Sequence, residues 1–464
     1  MSSKRQLLII GGGVSGTALL YTAARYSGLK KITLLEKYDE LAAVNTHARN
    51  NSQTLHRGDI ETNYTLEKAL YVKKAVDMVV NYATHQSGAP LVHRYSKIAL
   101  GVGERECNFI RNRFDQFAPY YPGMELFEAA DIATIEPHVA LAGDGNPRKE
   151  PIVAMGSRSE YVACDFSELS RSFVKSAMAE KDCDIDLRLG TQVRKIEEHA
   201  HSGYFRVETN KGVIDAESVI VCAGGHSLLM AHQMGYGKQF SVLPMGGSFY
   251  FTPNILNGKV YTVQNENLPF AAVHGDPDLQ VEGKTRFGPT ALALPMLERY
   301  QYKSIIDFIK VFKLDRDVMA VVMDLLKVGD IRNYFLKNLL YEVPLLQRYL
   351  FLKEVQKIVP ALKFADIRYA KRFGGVRPQL IDKKQRKLIL GEAKIAPGNG
   401  IIFNMTPSPG ATSCLQNAEK DVRTVCAYLG LHFDQDRHRV ELAYDFTQPS
   451  LPGSDLEEIQ LRAG

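Results

Sequence analysis

The chain has 464 residues, 45% of them hydrophobic and 23% charged, and 57 Lys and Arg against 52 Asp and Glu leave a net charge of +5. Such a length exceeds one ordinary domain, the composition is that of a globular chain, and the charge is too mild for a protein that binds nucleic acid. The six cysteines (107, 164, 183, 222, 414 and 426) contain no C-x-x-C pair, which excludes a redox dithiol and a zinc ribbon and leaves no metal site to expect.

Scattered thiols of this kind fit a reducing cytoplasm, and no long uncharged apolar stretch marks a membrane span. The first element is a buried-strand pattern, QLLII at 6–10, running into Gly11-x-Gly13-x-x-Gly16 and then an Ala/Leu-rich helix. Lys4 and Arg5 ahead of an apolar run give the outline of a secretory signal, but the glycines interrupt the run. A dinucleotide turn accounts for them. Gly11 permits the tight turn, Gly13 lets a pyrophosphate approach the backbone, and Gly16 lets the helix pack on the strand. Val14 and Ser15 then belong to the helix N-terminus that receives the phosphates. A second strand, KKITLLEK, ends on Glu36 and Lys37, and Glu36 stands 20 residues after Gly16, the spacing at which a carboxylate meets a ribose hydroxyl.

The same fingerprint serves NAD and FAD. Residues 187–225 read as two strands, a turn and a buried strand ending at Ala223-Gly224. This stretch resembles the second nucleotide-facing segment of FAD enzymes of the D-amino-acid-oxidase superfamily, which implies that the strand beginning at Val193 faces adenine. Near the end, a strand at 400–405 runs into Pro409-Gly410-Ala411-Thr412 and then a helix of about 15 residues. A helix N-terminus there suits the flavin end of FAD, where negative charge develops on reduction. No second glycine fingerprint exists for a nicotinamide cofactor.

The stretches NSQTLHRGDIETNYT (51–65), LPFAAVHGDPDLQVEGKTRFGPTALALP (268–295), GGVRPQL (374–380) and NMTPSPGAT (404–412) together resemble the shorter class of the malate:quinone oxidoreductase family. The likeness runs from Ile9 to about Gly430. Part of the set also resembles L-2-hydroxyglutarate oxidase, which is the alternative. The resemblance implies an α/β chain: a Rossmann-like FAD domain of the glutathione-reductase type, with a discontinuous α+β substrate domain. The FAD domain is expected from residues 1–90, 150–240 and 370–464, and the substrate domain from 91–149 and 241–369, including a helical segment at 298–363.

Oxidising a 2-hydroxy acid requires a carboxylate anchor, a base for the hydroxyl proton and a C2–H aimed at the flavin. Arg377 in Gly-x-Arg-Pro is the expected anchor, because a guanidinium forks onto a carboxylate. His274 is the preferred base, with Asp276 either orienting it or facing solvent. Arg286 is read equally well as a second carboxylate clamp or as a surface residue. His56 is expected near the flavin, and as a base it ranks behind His274. Asn51, Ser52, Gln53 and Thr54 offer polar groups to the flavin edge, and Gly374 belongs to the Gly-rich turn before Arg377. Tyr64 and Tyr250 are read as packing.

The reading is therefore FAD-dependent oxidation of (S)-malate to oxaloacetate, with electrons passed to a membrane quinone and no nucleic-acid partner. A cytoplasmic enzyme is expected, docked peripherally on the inner membrane. Residues 298–363 suit that contact: Ile305, Ile306, Ile309, Phe312, Leu336, Leu339, Leu340, Leu345 and Leu346 alternate with Lys303, Lys310, Lys313, Arg332, Lys337 and Arg348. Packing on the chain's own domain is the competing reading of the same helices.

Overall fold

A computed structural model describes residues 6–199, 203–264, 272–341, 343, 346–389, 392–406 and 409–443, and the backbone of 460–461. Gln6–Ile10 is an inner strand of a seven-stranded sheet. It pairs in parallel with Ser218–Val221 on one side and Lys31–Leu35 on the other. Asp184–Arg188 extends the sheet beyond Lys31–Leu35, and Ile401–Met405 extends it beyond Ser218–Val221. Leu7, Leu8 and Ile9 are fully buried, as a parallel strand covered on both faces must be. Each such side chain contributes roughly 1.5–3 kcal/mol of transfer free energy.

One face of that sheet carries the helices Val14–Tyr26, Phe166–Met178 and Cys414–Leu429, which share a core around Leu19, Phe173 and Val422. The other face is covered by an antiparallel sheet of Val193–His199, Tyr204–Thr209 and Gly212–Ala216, through Ile196, Phe205 and Val207. The sequence-predicted strands at 187–225 and the late helix fall within these elements.

An eight-stranded sheet and a four-stranded sheet stand beside this body. The eight-stranded sheet includes Val92–Val102, Lys259–Thr262, His274–Pro277 and Lys284–Gly288. Ile152–Cys164, assigned from the sequence to the nucleotide-binding part, pairs antiparallel with Val92–Val102 in this sheet. Val376–Asp382, likewise assigned to the nucleotide-binding part, pairs with Phe240–Gly246 in the four-stranded sheet. Both strands are thus placed by long-range pairing, which local periodicity does not report. The segment 298–363 forms the helices Ser304–Phe312, Arg316–Lys327, Gly329–Leu340 and Leu346–Gln356. Among the described residues no helix is long and apolar enough to cross a membrane.

Candidate active site

A cleft of about 560 Å³ runs from the edge of the parallel sheet to the four-stranded sheet. That volume lies in the range of ligand-binding cavities. At one end lies the glycine turn. Gly11 has φ +116°, and a Cβ built there would sit 2.4 Å from the Cys222 carbonyl oxygen. A Cβ on Gly16 would lie 1.9 Å from the Gly11 carbonyl oxygen, so Gly16 serves helix–turn packing and does not line the cleft. The Val14–Tyr26 helix starts at Gly13, the Val14 N–H donates to the Thr46 hydroxyl at 3.0 Å, and Gly13, Val14 and Ser15 line the cleft. The positive end of that helix is a site for anions.

Glu36 fixes the turn from below. One carboxylate oxygen accepts the Gly12 N–H at 2.7 Å and the other accepts the Tyr38 N–H at 3.0 Å. Burial pushes its pKa above the usual carboxylate value, and these two donors act against that. Each oxygen keeps a lone pair for a hydroxyl. Lys37 also borders the cleft and forms an ion pair with Glu298. Val193, Ala223 and Gly224 complete this end.

The loop at 45–56 forms the middle wall. The Asn51 side-chain amide donates to the carbonyls of Asn45, Thr46 and His47, and its Oδ1 accepts the Gln53 N–H at 2.8 Å. Ser52 and Thr54 line the cleft. Gln53 does not. Its amide accepts the Leu279 N–H at 3.0 Å and donates to the Ala48 carbonyl, tying the loop to the segment after His274. Beneath Thr54, the fully buried Lys259 ammonium donates to the Thr54 hydroxyl at 2.9 Å and pairs with Asp276 at 2.9 Å. Burial pulls the Lys259 pKa down while Asp276 holds it up.

The far end is built from side chains. His56 lines the cleft, and its Nδ1 lies 2.8 Å from a carboxylate oxygen of the buried Glu61. The other Glu61 oxygen accepts the Gly58 N–H at 2.8 Å, so the carboxylate is fixed on both sides. The His56 backbone N–H donates to the Thr412 hydroxyl at 3.2 Å, which joins this loop to the Pro409–Thr412 turn on the same wall. Arg377, half-buried on Val376–Asp382, also lines the cleft. Burial lowers its pKa, and the phenols of Tyr261, Tyr334 and Tyr64 near it act the other way. Among the described residues, no carboxylate pairs with Arg377.

Besides Gly16 and Gln53, three sequence-predicted residues lie outside the cleft lining. His274 is buried and stacks on Tyr261 with ring centroids 4.3 Å apart, and its Nδ1 lies 3.2 Å from the Ala272 carbonyl. Burial first, and then Lys259, hold its pKa well below the usual histidine value. Arg286 is neither on the surface nor on the cleft wall. It is 1% exposed, pairs with Asp278 at 3.2 Å and lies over the Phe249 ring. Gly374 sits behind the wall, donating its N–H to the Arg49 carbonyl at 2.9 Å, while Gly375 borders the cleft. Asp276 faces Lys259 and not His274, and Tyr250 stacks on Phe351 as a packing residue. The sequence reading missed Glu61, Lys259, Tyr261 and Tyr334. Glu61 had one usable signal, its place five residues after His56 in a stretch already singled out.

Residues 3–418 match the family model for malate:quinone oxidoreductase. The chain belongs to that family. It is 47% identical to the probable malate:quinone oxidoreductase of Campylobacter jejuni, over 94% of this chain and 98% of that one. It is 44% identical to the malate:quinone oxidoreductase of Helicobacter pylori strain J99, over 96% and 99% of the two chains. Among solved structures, L-α-glycerophosphate oxidase from Mycoplasma pneumoniae with FAD bound superposes with a TM-score of 0.63 at 21% identity, covering 91% of this chain and 94% of that one. Glycine oxidase from Geobacillus kaustophilus gives 0.60 at 15%, covering 89% and 93%. These likenesses show that a malate:quinone oxidoreductase has the fold of the FAD-dependent oxidases. The cleft fits FAD on its own chemistry: a helix N-terminus, a carboxylate with free lone pairs and a turn that any Cβ would fill.

Proposed function

We propose that this chain oxidises (S)-malate to oxaloacetate and delivers the electrons to a membrane quinone, with FAD held along the cleft. Gly11, Gly13 and the helix end at Val14 and Ser15 hold the pyrophosphate, Glu36 takes ribose hydroxyls, Val193 borders the adenine, and Pro409–Thr412 holds the flavin end. FAD, when bound, supplies the hydride acceptor.

The observation that carries the reading is Arg377 with His56. A half-buried guanidinium without an acid partner among the described residues faces the same cleft as an imidazole backed by a buried carboxylate. Arg377 forks onto one substrate carboxylate. Glu61 holds the His56 Nδ1 as the protonated nitrogen, and Nε2 is the nitrogen that takes the C2 hydroxyl proton. The charge on Glu61 then stabilises the imidazolium. His274 keeps its neighbours in register by stacking on Tyr261, and Arg286 is committed to Asp278.

The membrane contact rests on a concentration of apolar surface. Among the described residues, sixteen of the twenty-two exposed large apolar side chains fall between Tyr300 and Phe364. Ile306, Ile309, Leu336 and Leu339 are each more than half exposed, next to the exposed Lys303, Lys310 and Lys337. Apolar side chains beside lysines suit an anionic lipid surface. Ile305, Phe312 and Arg348 are only partly exposed, and Leu345 lies outside the described residues. The 2-hydroxyglutarate alternative has no support from the family match.

The test is anaerobic titration of the yellow protein with 2-hydroxy acids. (S)-malate should bleach the flavin band at lower concentration and faster than 2-hydroxyglutarate. A flavin that malate leaves oxidised would overturn the reading.

A further inference from the structure

The helix Ser304–Phe312 borders the cleft with one face and solvent with the other. Asp307 and Lys310, one turn apart, line the cleft beside Leu297, Glu298 and His226. Val311 is fully buried in the core that it shares with Leu8 and Val219 of the parallel sheet. The outer face is apolar and basic. Ile306 is 59% exposed and Ile309 64%, Tyr302 just ahead of the helix is 75% exposed, and Lys303, Lys310 and Lys313 stand exposed around them. Asp307 is the single acid between Lys303 and Lys313, and it belongs to the cleft side.

Contacts on the inner face join the helix to the dinucleotide end. Asp307 Oδ2 lies 3.3 Å from His226 Nε2, and His226 Nδ1 lies 3.6 Å from a Glu298 carboxylate oxygen. The Glu298 carboxylate also accepts the Tyr38 hydroxyl at 2.5 Å and pairs with Lys37, while the Glu298 N–H donates to the Ser304 hydroxyl at 3.1 Å. Lys37 and Tyr38 follow Glu36, and His226 follows Ala223–Gly224, so one helix is tied to both segments that flank the glycine turn. Its ends are pinned. The Tyr300 hydroxyl donates to the Phe373 carbonyl at 3.1 Å, and the Phe312 carbonyl accepts the Ser241 hydroxyl at 2.6 Å. Tyr300 and Lys313, on either side of the helix, hold φ +65° and +42°, left-handed conformations that a non-glycine residue keeps only where its surroundings impose them. At such turns a small change of backbone angle re-aims the whole helix.

We infer that this helix is a strap held by two ligands at once: an anionic lipid surface takes its outer face, and FAD in the cleft is bound more tightly when it does. Three lysines without an acid on the outer face complement anionic headgroups, and the two isoleucines among them enter the acyl boundary. On the inner side, Asp307, Lys310 and His226 border the space that the dinucleotide fills, so the position of the helix sets how closely that space is bounded. A surface that fixes the outer face fixes the inner one, because a short helix moves as one body. Linkage makes the effect reciprocal: FAD strengthens lipid binding by the factor by which lipid strengthens FAD binding. The inference rests on the reading of FAD in the cleft and of this segment on the membrane, and it adds that lipid governs how firmly the cofactor is kept.

The test dilutes the FAD-loaded enzyme and follows the fluorescence of released FAD to obtain its dissociation constant. Vesicles of equal parts phosphatidylcholine and phosphatidylglycerol should lower that constant about five- to tenfold, and vesicles of phosphatidylcholine alone should leave it unchanged. In sedimentation, binding of the diluted enzyme to the anionic vesicles should strengthen as FAD is added, up to the same factor. Ile306→Ser combined with Ile309→Ser should keep the FAD constant measured without lipid and lose the response to vesicles. Asp307→Asn should weaken FAD binding without lipid and still bind vesicles, with the vesicle effect on FAD reduced. Failure of the parent enzyme to bind the anionic vesicles, or binding that leaves its FAD constant unchanged, overturns the strap. So does light scattering that shows a dimer dissolved by the two isoleucine replacements, since a second copy would then cover the outer face. Flavin bleaching by malate without lipid tests the underlying activity separately, because the coupling is measured with no substrate present.

Discussion

The two ends of the cleft are built from different materials. At the dinucleotide end, the contacts come from backbone groups: the glycine turn and the start of the Val14–Tyr26 helix, with one acid, Glu36, bracing them. At the end proposed for the reaction they come from side chains that arrive from separate strands and loops: His56 and Glu61 from one loop and Arg377 from the four-stranded sheet, near Tyr261 and Tyr334. Backbone sites tolerate almost any side chain except at the close approaches, so they bind tightly without chemical specificity. Side-chain sites place charge and a proton acceptor at chosen points, and single replacements there cost most.

That contrast predicts a graded set of losses. The largest belongs to His56→Asn, which should slow anaerobic flavin reduction by malate by about 10²–10⁴ while FAD stays bound. Glu61→Gln should follow it with a smaller loss and a shifted pH profile for the same step, as expected of a positioning carboxylate. A near-parental reduction rate in His56→Asn would remove the base assignment.

Arg377→Met comes next. A charge-assisted contact contributes roughly 1.5–3 kcal/mol, so the malate KM should rise about 10- to 150-fold. Arg377→Lys should recover only part of it, since an ammonium cannot fork. If Arg286→Met raised KM as much without loss of folding, the two arginines would have to exchange roles.

At the other end of the cleft, Glu36→Ala should weaken FAD retention by about tenfold, seen as flavin lost on gel filtration. Protein that keeps its flavin should retain the parental malate KM. A change in KM would show that the two ends are coupled.

The smallest kinetic effect is expected for His274→Asn, under about threefold in flavin reduction. Its signature is in stability. The folded-state pKa of His274 is depressed, so its contribution is present above the unfolded value of roughly 6.5 and is lost as pH falls below it. The melting temperature of the parent should therefore drop between about pH 7 and pH 5, and His274→Asn should flatten that drop. A kinetic loss as large as that of His56→Asn would return the base role to His274.

What was legible beforehand follows the same division. Gly11, Gly13, Gly16 and Glu36 announce themselves because glycine spacing is a direct record of backbone geometry, and the strand–turn–helix that holds them is local. Arg377 was legible through its own short motif. His56 was found but ranked second, because its partner's role depends on how the 56–61 loop folds back, with Glu61 bonded to both His56 and Gly58. His274 looked the more reactive in one dimension. Its burial against Tyr261 and its absence from the cleft wall are facts of strand pairing in the eight-stranded sheet.

By itself, then, the sequence determined the cofactor turn, the α/β class and the kinds of side chain available for the chemistry, because each is encoded within a few dozen contiguous residues. Only the tertiary structure decided which histidine meets the cleft, which arginine is left without an acid, and where Ile152–Cys164 and Val376–Asp382 pair. Those outcomes depend on contacts between residues far apart in the chain, whose geometry is set by packing and desolvation rather than by any local pattern.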